Sequence, residues 1–163
     1  MTVTVRPAGM ADVEAICAIH NQGIEDRIAT LDTTLRAPAD TQAWLTDHGP
    51  RYPVLVADLN GTVVVWASLN RFNPRPAYDQ VADFSVYVER AWRGKGIGRT
   101  LLDHLIDRAR AIGFHKMVLA AMAFNTAGIA LYARSGFERV GVYREQGQLE
   151  GRWVDVLIME KIL

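Results

Sequence analysis

The chain has 163 residues, 50% of them hydrophobic and 22% charged, with a formal net charge of +0. That length suits one well-buried core and is short for two, so a single domain over residues 1–163 is expected. Charge balance gives no general attraction to nucleic acid or to an acidic membrane surface, and no stretch has the composition of a disordered or low-complexity segment.

The first residues, Met1 to Pro7, carry no apolar run of a signal peptide, and no segment has the length of a bilayer span, so a cytoplasmic protein is expected. Val3 to Arg6 reads as a short strand. Ala11 to Ile24 reads as a helix with Val13, Ile16, Cys17, His20 and Ile24 facing inward. Cys17 is the sole cysteine and on that stripe reads as a packed thiol; His20 beside it reads as a satisfied core histidine. Glu25 to Thr33 shows no period and is expected to be a loop or an irregular helix end of the kind that lines sites. A short helix follows from Ala39 to His48, stopped by Gly49-Pro50.

Strands are expected at Val54–Asp58 and Thr62–Leu69, joined at Asn60-Gly61, a pair suited to the positive φ angles of a tight hairpin turn. Pro74 and Pro76 make Asn70–Tyr78 a loop. From Val81 the apolar Ala82, Phe84, Val86 and Val88 alternate with Asp83, Ser85 and Tyr87, the period of a sheet strand. After the glycine-rich Arg93-Gly94-Lys95-Gly96-Ile97-Gly98, a helix begins near Ile97 and places Leu101, Leu102, Leu105, Ile106 and Ala109 on one stripe. A strand at Lys116–Met122, a helix at Thr126–Ser135 ended by Gly136, and strands at Phe137–Tyr143 and Trp153–Lys161 around a polar connection, Arg144–Arg152, complete the chain. The fold class is α/β (α+β), a mixed central sheet flanked by helices.

The glycine segment carries the chemistry. Three glycines at alternate positions, flanked by Arg93, Lys95 and Arg99, let the backbone turn sharply and aim its N–H groups at one point where a helix begins. Unpaired amides and the positive end of the helix dipole suit an anion there. The spacing lacks the Gly-x-Gly-x-x-Gly of dinucleotide folds and the lysine-hydroxyl ending of nucleoside-triphosphate loops. A plain structural turn is the competing reading.

Arg93-x-x-Gly96-x-Gly98 resembles the pyrophosphate loop of the GNAT superfamily of N-acetyltransferases, and the order of elements and the segment Asn125…Leu131-Tyr132-Ala133-Arg134-Ser135-Gly136-Phe137 are similar to the same superfamily. Ile19–Ile24, Pro74-Arg75-Pro76-Ala77-Tyr78, Ser85-Val86-Tyr87-Val88 and Gly151-Arg152-Trp153-Val154-Asp155 resemble its phosphinothricin and methionine sulfoximine branch.

The resemblance implies acetyl-coenzyme A as co-substrate, no metal, and direct transfer to the α-amine of a small amino-acid analogue in a ternary complex. It implies that Val86, Tyr87 and Val88 pair with the pantetheine arm, that Arg93, Gly94, Lys95, Gly96, Ile97, Gly98 and Arg99 form the pyrophosphate site, and that Asn125 binds pantetheine. A helix cap is the other role open to Asn125, and the two are compatible. Asp83 is the candidate general base, where the branch usually has glutamate; a salt bridge or loop contact is its structural alternative. Tyr132 stands where many members protonate the departing thiolate, and packing is its alternative. Arg71 and Arg75 are candidates to grip the acceptor's acid group, with Arg75 preferred, although Asn73 replaces an arginine frequent in the branch. Trp153 is open to three readings: a wall of the substrate site, a subunit contact or strand packing. A homodimer is implied. Acetylation of a polyamine, an aminoglycoside or a protein terminus, and a non-catalytic acyl-coenzyme A sensor, are the rival functions.

Overall fold

The computed structural model describes residues 2–163. Among these residues the chain forms seven strands and four α-helices in the order β1 (Val3–Pro7), α1 (Val13–Asp26), α2 (Pro38–His48), β2 (Val54–Leu59), β3 (Thr62–Arg71), β4 (Val81–Val88), α3 (Ile97–Ile112), β5 (Lys116–Met122), α4 (Thr126–Arg134), β6 (Glu138–Leu149) and β7 (Arg152–Ile162). All seven strands join one sheet in the order β1-β2-β3-β4-β5-β7-β6. The expected mixed sheet between helices is therefore what forms, and none of the described helices is long and apolar enough to cross a membrane.

Neighbouring strands run antiparallel except β4 and β5, which are parallel. A parallel pair needs a crossover, and α3 supplies it. The alternation of β4 decides what each face holds. Ala82 and Phe84 face α3 within a core that includes Leu101, Leu102, Leu105 and Met117. Tyr87 faces the other way, against Trp66 and the cluster of Ile16 and Ile19 under α1. The turn at Asn60 (φ 52°) and Gly61 (φ 90°) has the left-handed backbone that its sequence demands.

Pairing between β4 and β5 covers only Val81, Ala82 and Asp83 opposite Lys116, Met117 and Val118. Beyond Asp83 the two strands part. β5 continues along β7 to Met122 and β4 continues along β3 to Val88, so the backbone edge of Phe84–Val88 on the β5 side has no strand beside it.

One expectation is corrected. Arg144–Arg152 is not a polar connection: β6 runs to Leu149 and β7 starts at Arg152, with a two-residue turn at Glu150 (φ 52°) and Gly151 (φ 78°) between them. From Arg144 onward β6 is an exposed edge strand of polar residues and glycine until Leu149, so no apolar alternation marks it there. Its pairing with β7 shifts register between Tyr143 and Gly147; there Glu145 (φ 51°) donates its N–H to Asp155 Oδ1 at 2.8 Å.

Candidate active site

The glycine segment lies where β4 leads into α3. Gly96 (φ 83°) is the N-cap residue and Gly94 (φ 75°) precedes it, both in the left-handed region that favours glycine. Gly98 serves a different purpose. It is buried in the first turn of α3, where a Cβ would stand 3.1 Å from Val88 Cγ2 and 3.6 Å from Leu131 Cδ2, so its lack of a side chain lets the helix end approach the strand. Amides of the first helical turn and the free edge of β4 thus border one space. An extended chain ending in a diphosphate fits that arrangement: the edge supplies strand-like partners and the helix start supplies N–H groups.

The basic residues of the segment divide. Lys95 Nζ sits 4.8 Å over the Trp92 ring, and exposed Arg99 makes only a 3.7 Å contact with Asp103. Arg93 points back into the protein, with Nη1 2.6 Å from Asp26 Oδ2 and Nε donating to the Val88 carbonyl at 3.4 Å. Its cation is thus paired within the protein, at the far end of α1.

Asp83 is the last residue of β4 paired with β5 and faces the α1 and α2 side of the sheet, opposite Asn70 of β3 in register. Burial pushes its carboxyl up to about 6, against the hydrogen bond that Oδ1 accepts from Phe84 N–H at 2.7 Å. No ion pair holds Asp83 among the described residues. A carboxyl with this affinity can accept a proton from an amine near neutral pH.

The neighbours of Asp83 on its face form a network that sequence reasoning missed. Asn70 Oδ1 accepts from Ser68 Oγ at 2.9 Å, and Asn70 Nδ2 donates to Ser85 Oγ at 3.1 Å. His48 Nε2 donates to the Leu69 carbonyl at 2.8 Å and lies 3.1 Å from Asn70 Oδ1. These bonds fix the Asn70 amide beside Asp83. Alternation in β3 and β4 was the available signal, since Ser68, Asn70 and Ser85 are polar residues on a strand face.

Tyr132 lies on the α3 and α4 side with its ring edge-on to Phe84 at 5.7 Å. Burial, reinforced by Tyr87 and Asp83, pushes its hydroxyl up to about 12, so it carries its proton at neutral pH. Asn125 caps α4, its Oδ1 accepting from Gly128 N–H at 3.1 Å, which leaves its amide N–H groups available. His20 is buried as expected but is not satisfied: neither ring nitrogen has a partner, nor does Trp66 Nε1. Burial lowers the His20 imidazole to about 4, which keeps it neutral.

Of the two candidate acceptor arginines, Arg71 is paired with Ala82 and so belongs by register to the face opposite Asp83, with Nη2 bonded to the Pro74 carbonyl at 3.2 Å. Arg75 stands in the following loop, its backbone N–H held by Asn73 Oδ1 at 2.9 Å. Trp153 is 60% exposed, which removes strand packing as its role.

Known proteins share this fold and much of this sequence. The acetyltransferase (GNAT) family profile matches residues 19–137. The L-methionine sulfoximine/L-methionine sulfone acetyltransferase of Pseudomonas aeruginosa is 40% identical over 98% of this chain and 94% of its own. A phosphinothricin acetyltransferase from Sinorhizobium meliloti, solved in complex with acetyl-coenzyme A, superposes with a TM-score of 0.94 at 33% identity, over 100% of this chain and 89% of the other. A structure described as the ribosomal-protein-alanine N-acetyltransferase of Brucella melitensis gives a TM-score of 0.95 at 40% identity, covering 98% and 99%. With the parted strands and the helix-start amides in place, these likenesses settle the assignment: the chain belongs to the GNAT family of acetyltransferases, enzymes that use acetyl-coenzyme A.

Proposed function

We propose that the whole chain acts as one catalytic domain that acetylates the α-amine of small amino-acid analogues of the methionine sulfoximine, methionine sulfone and phosphinothricin type. The observation that carries this reading is the position of Asp83, an unpaired carboxyl with its pKa pushed up to about 6, at the point where β4 and β5 part. The relatives named for such acceptors support the substrate class.

Acetyl-coenzyme A supplies the activated acetyl group and the diphosphate that the helix start receives. Main-chain groups of Val86–Val88 hold the arm in strand fashion, and the Val88 N–H polarises the thioester carbonyl. Gly94, Gly96, Ile97 and Gly98 offer amides, and Lys95 and Arg99 offer charge. Asp83 accepts the amine proton directly or through a water, and the Tyr132 hydroxyl, kept protonated by burial, donates to the departing sulfur. Asn125 combines its cap with a bond to the arm. Direct transfer in a ternary complex needs no acyl-enzyme, and Cys17, buried on α1, is unsuited to one.

Arg75, rather than Arg71, grips the acceptor's acid group. Arg75→Ala is expected to raise the acceptor KM by roughly 10- to 100-fold, the value of a charge-assisted bond, with the coenzyme KM unchanged. Equal effects on both constants would reject that role. The functional reading itself is tested by thiol release from acetyl-coenzyme A across phosphinothricin, methionine sulfoximine, methionine sulfone, common amino acids and polyamines. A peptide beginning with alanine belongs in the same panel, because the Brucella neighbour favours a protein terminus as the second reading.

The enzyme works as a homodimer in the cytoplasm, where its coenzyme is made and a lone thiol stays reduced. Exposed Val140, Val142, Tyr143 and Trp153 on the β6–β7 hairpin support a partner there. Sedimentation equilibrium is expected to give twice the 18.1 kDa chain mass, and a monomer at micromolar concentration would refute the assembly.

A further inference from the structure

The last turn of α1 holds the segment between β4 and the glycine loop at both ends. Gln22 Nε2 donates to Glu89 Oε1 at 2.9 Å, and its Oε1 accepts from Arg90 N–H at 2.8 Å. One turn later Asp26 receives both cations of the segment: Arg90 in a two-bond grip, Nε to Oδ2 at 3.0 Å and Nη2 to Oδ1 at 2.8 Å, and Arg93 through Nη1 to Oδ2 at 2.6 Å. Arg93 in turn holds the carbonyl of Val88, the last residue of the coenzyme-facing strand.

Resting on the acetyltransferase reading, we propose that Asp26 is a positioning residue for the coenzyme: through Arg90 and Arg93 it fixes residues 89–93, and with them the direction of the Gly94–Gly98 amides. Arg93 then acts through Asp26 and Val88 and does not touch the diphosphate. An isolated exposed ion pair would do little. Here one partly buried carboxylate, 25% exposed, gathers two guanidinium groups, one of them by two bonds, and the segment it restrains is only five residues long. The hydrogen bonds from Arg90 and Arg93 lower the Asp26 pKa against the opposing effect of burial, so it is ionised throughout the working range. Gly94 and Gly96, with their freedom at positive φ, give the loop many conformations once the latch is open. Affinity falls by the fraction of molecules that keep the receptive one. The same helix carries Gly23 against the Tyr87 ring, where a Cβ would meet Cε1 at 2.9 Å, so α1 connects the acceptor face to the coenzyme loop.

The sign of one substitution separates this role from direct contact. If Arg93 bound the diphosphate, Asp26→Asn would release its cation and tighten the coenzyme. Under the proposal, Asp26→Asn weakens acetyl-coenzyme A binding about tenfold by calorimetry, leaves the acceptor KM within about twofold, and speeds hydrogen exchange at the Gly94–Gly98 amides of the free protein. Asp26→Glu restores most of the affinity, and the double variant Asp26→Asn/Arg93→Gln is no weaker than the weaker single one, as expected of residues acting as a unit. Tighter or unchanged coenzyme binding in Asp26→Asn, or a lower melting temperature with both Michaelis constants intact, overturns the proposal. Failure of the unaltered protein to bind acetyl-coenzyme A would instead reject the acetyltransferase reading, and the exchange rates would still decide whether Asp26 holds the loop.

Discussion

Asp83→Asn is expected to lower turnover about 10²- to 10³-fold at pH 7, the range for losing a general base, while making the folded protein more stable. Both effects follow from one environment. Burial raises the carboxyl from 3.8 to about 6, so the folded chain holds this proton more tightly than the unfolded chain does. The sign is therefore that stability is lost as pH rises from about 4 through about 6, because ionising Asp83 costs more in the native state. A neutral amide removes the penalty, a gain of up to about 3 kcal/mol above pH 6 that vanishes toward pH 4. Activity shows the complementary pattern. The unaltered enzyme loses kcat/KM below about pH 6 as Asp83 takes up its proton, whereas the asparagine variant accelerates with pH as the amine loses its own. The gap narrows in alkaline solution. An unchanged pH profile in the variant would remove Asp83 from the role of base, and denaturant titrations at acid and alkaline pH check the stability half independently.

Gly98→Val carries the second large effect, an expected loss of about a hundredfold in acetyl-coenzyme A affinity measured by calorimetry. The added Cβ alone would lie 3.1 Å from Val88 Cγ2, and a branched side chain extends toward Leu131 as well. Overpacking of this kind costs about 1–3 kcal/mol and is relieved only by moving α3 away from β4. That movement separates the helix-start amides from the strand edge, and one ligand must touch both. Gly96→Ala is the informative contrast: nothing lies within 4 Å of its added carbon, so only the left-handed backbone resists, at about 1–2 kcal/mol. Equal affinity in Gly98→Val and the parent would show that close approach of helix to strand is irrelevant to the coenzyme.

Signals that are local in the chain are legible in the amino-acid sequence itself. Asn60-Gly61 specifies its turn because few other pairs tolerate two positive φ angles. Asp83 stands out because a carboxyl on an apolar-alternating strand is costly, and its raised pKa has that same origin. The edge strand β6 is invisible over its second half, since solvent on both faces leaves no period to read. His20 reads correctly as inward and wrongly as satisfied, because partners for a ring nitrogen come from other elements. The same reason hides the latch and the Asn70 network. Gln22 and Glu89 are 67 positions apart, and only the fold brings α1 onto the end of β4. Arg93 shows what a motif leaves open. Its place beside the glycines suggests a hand on the diphosphate, and its geometry turns that hand inward to Asp26.

The gap that opens after Asp83 leaves a free strand edge between the two faces of a single sheet. A single compound threading the opening, with one reactant's likeness at each end, would gain the combined grip of both faces, and should hold this enzyme far more tightly than either half alone.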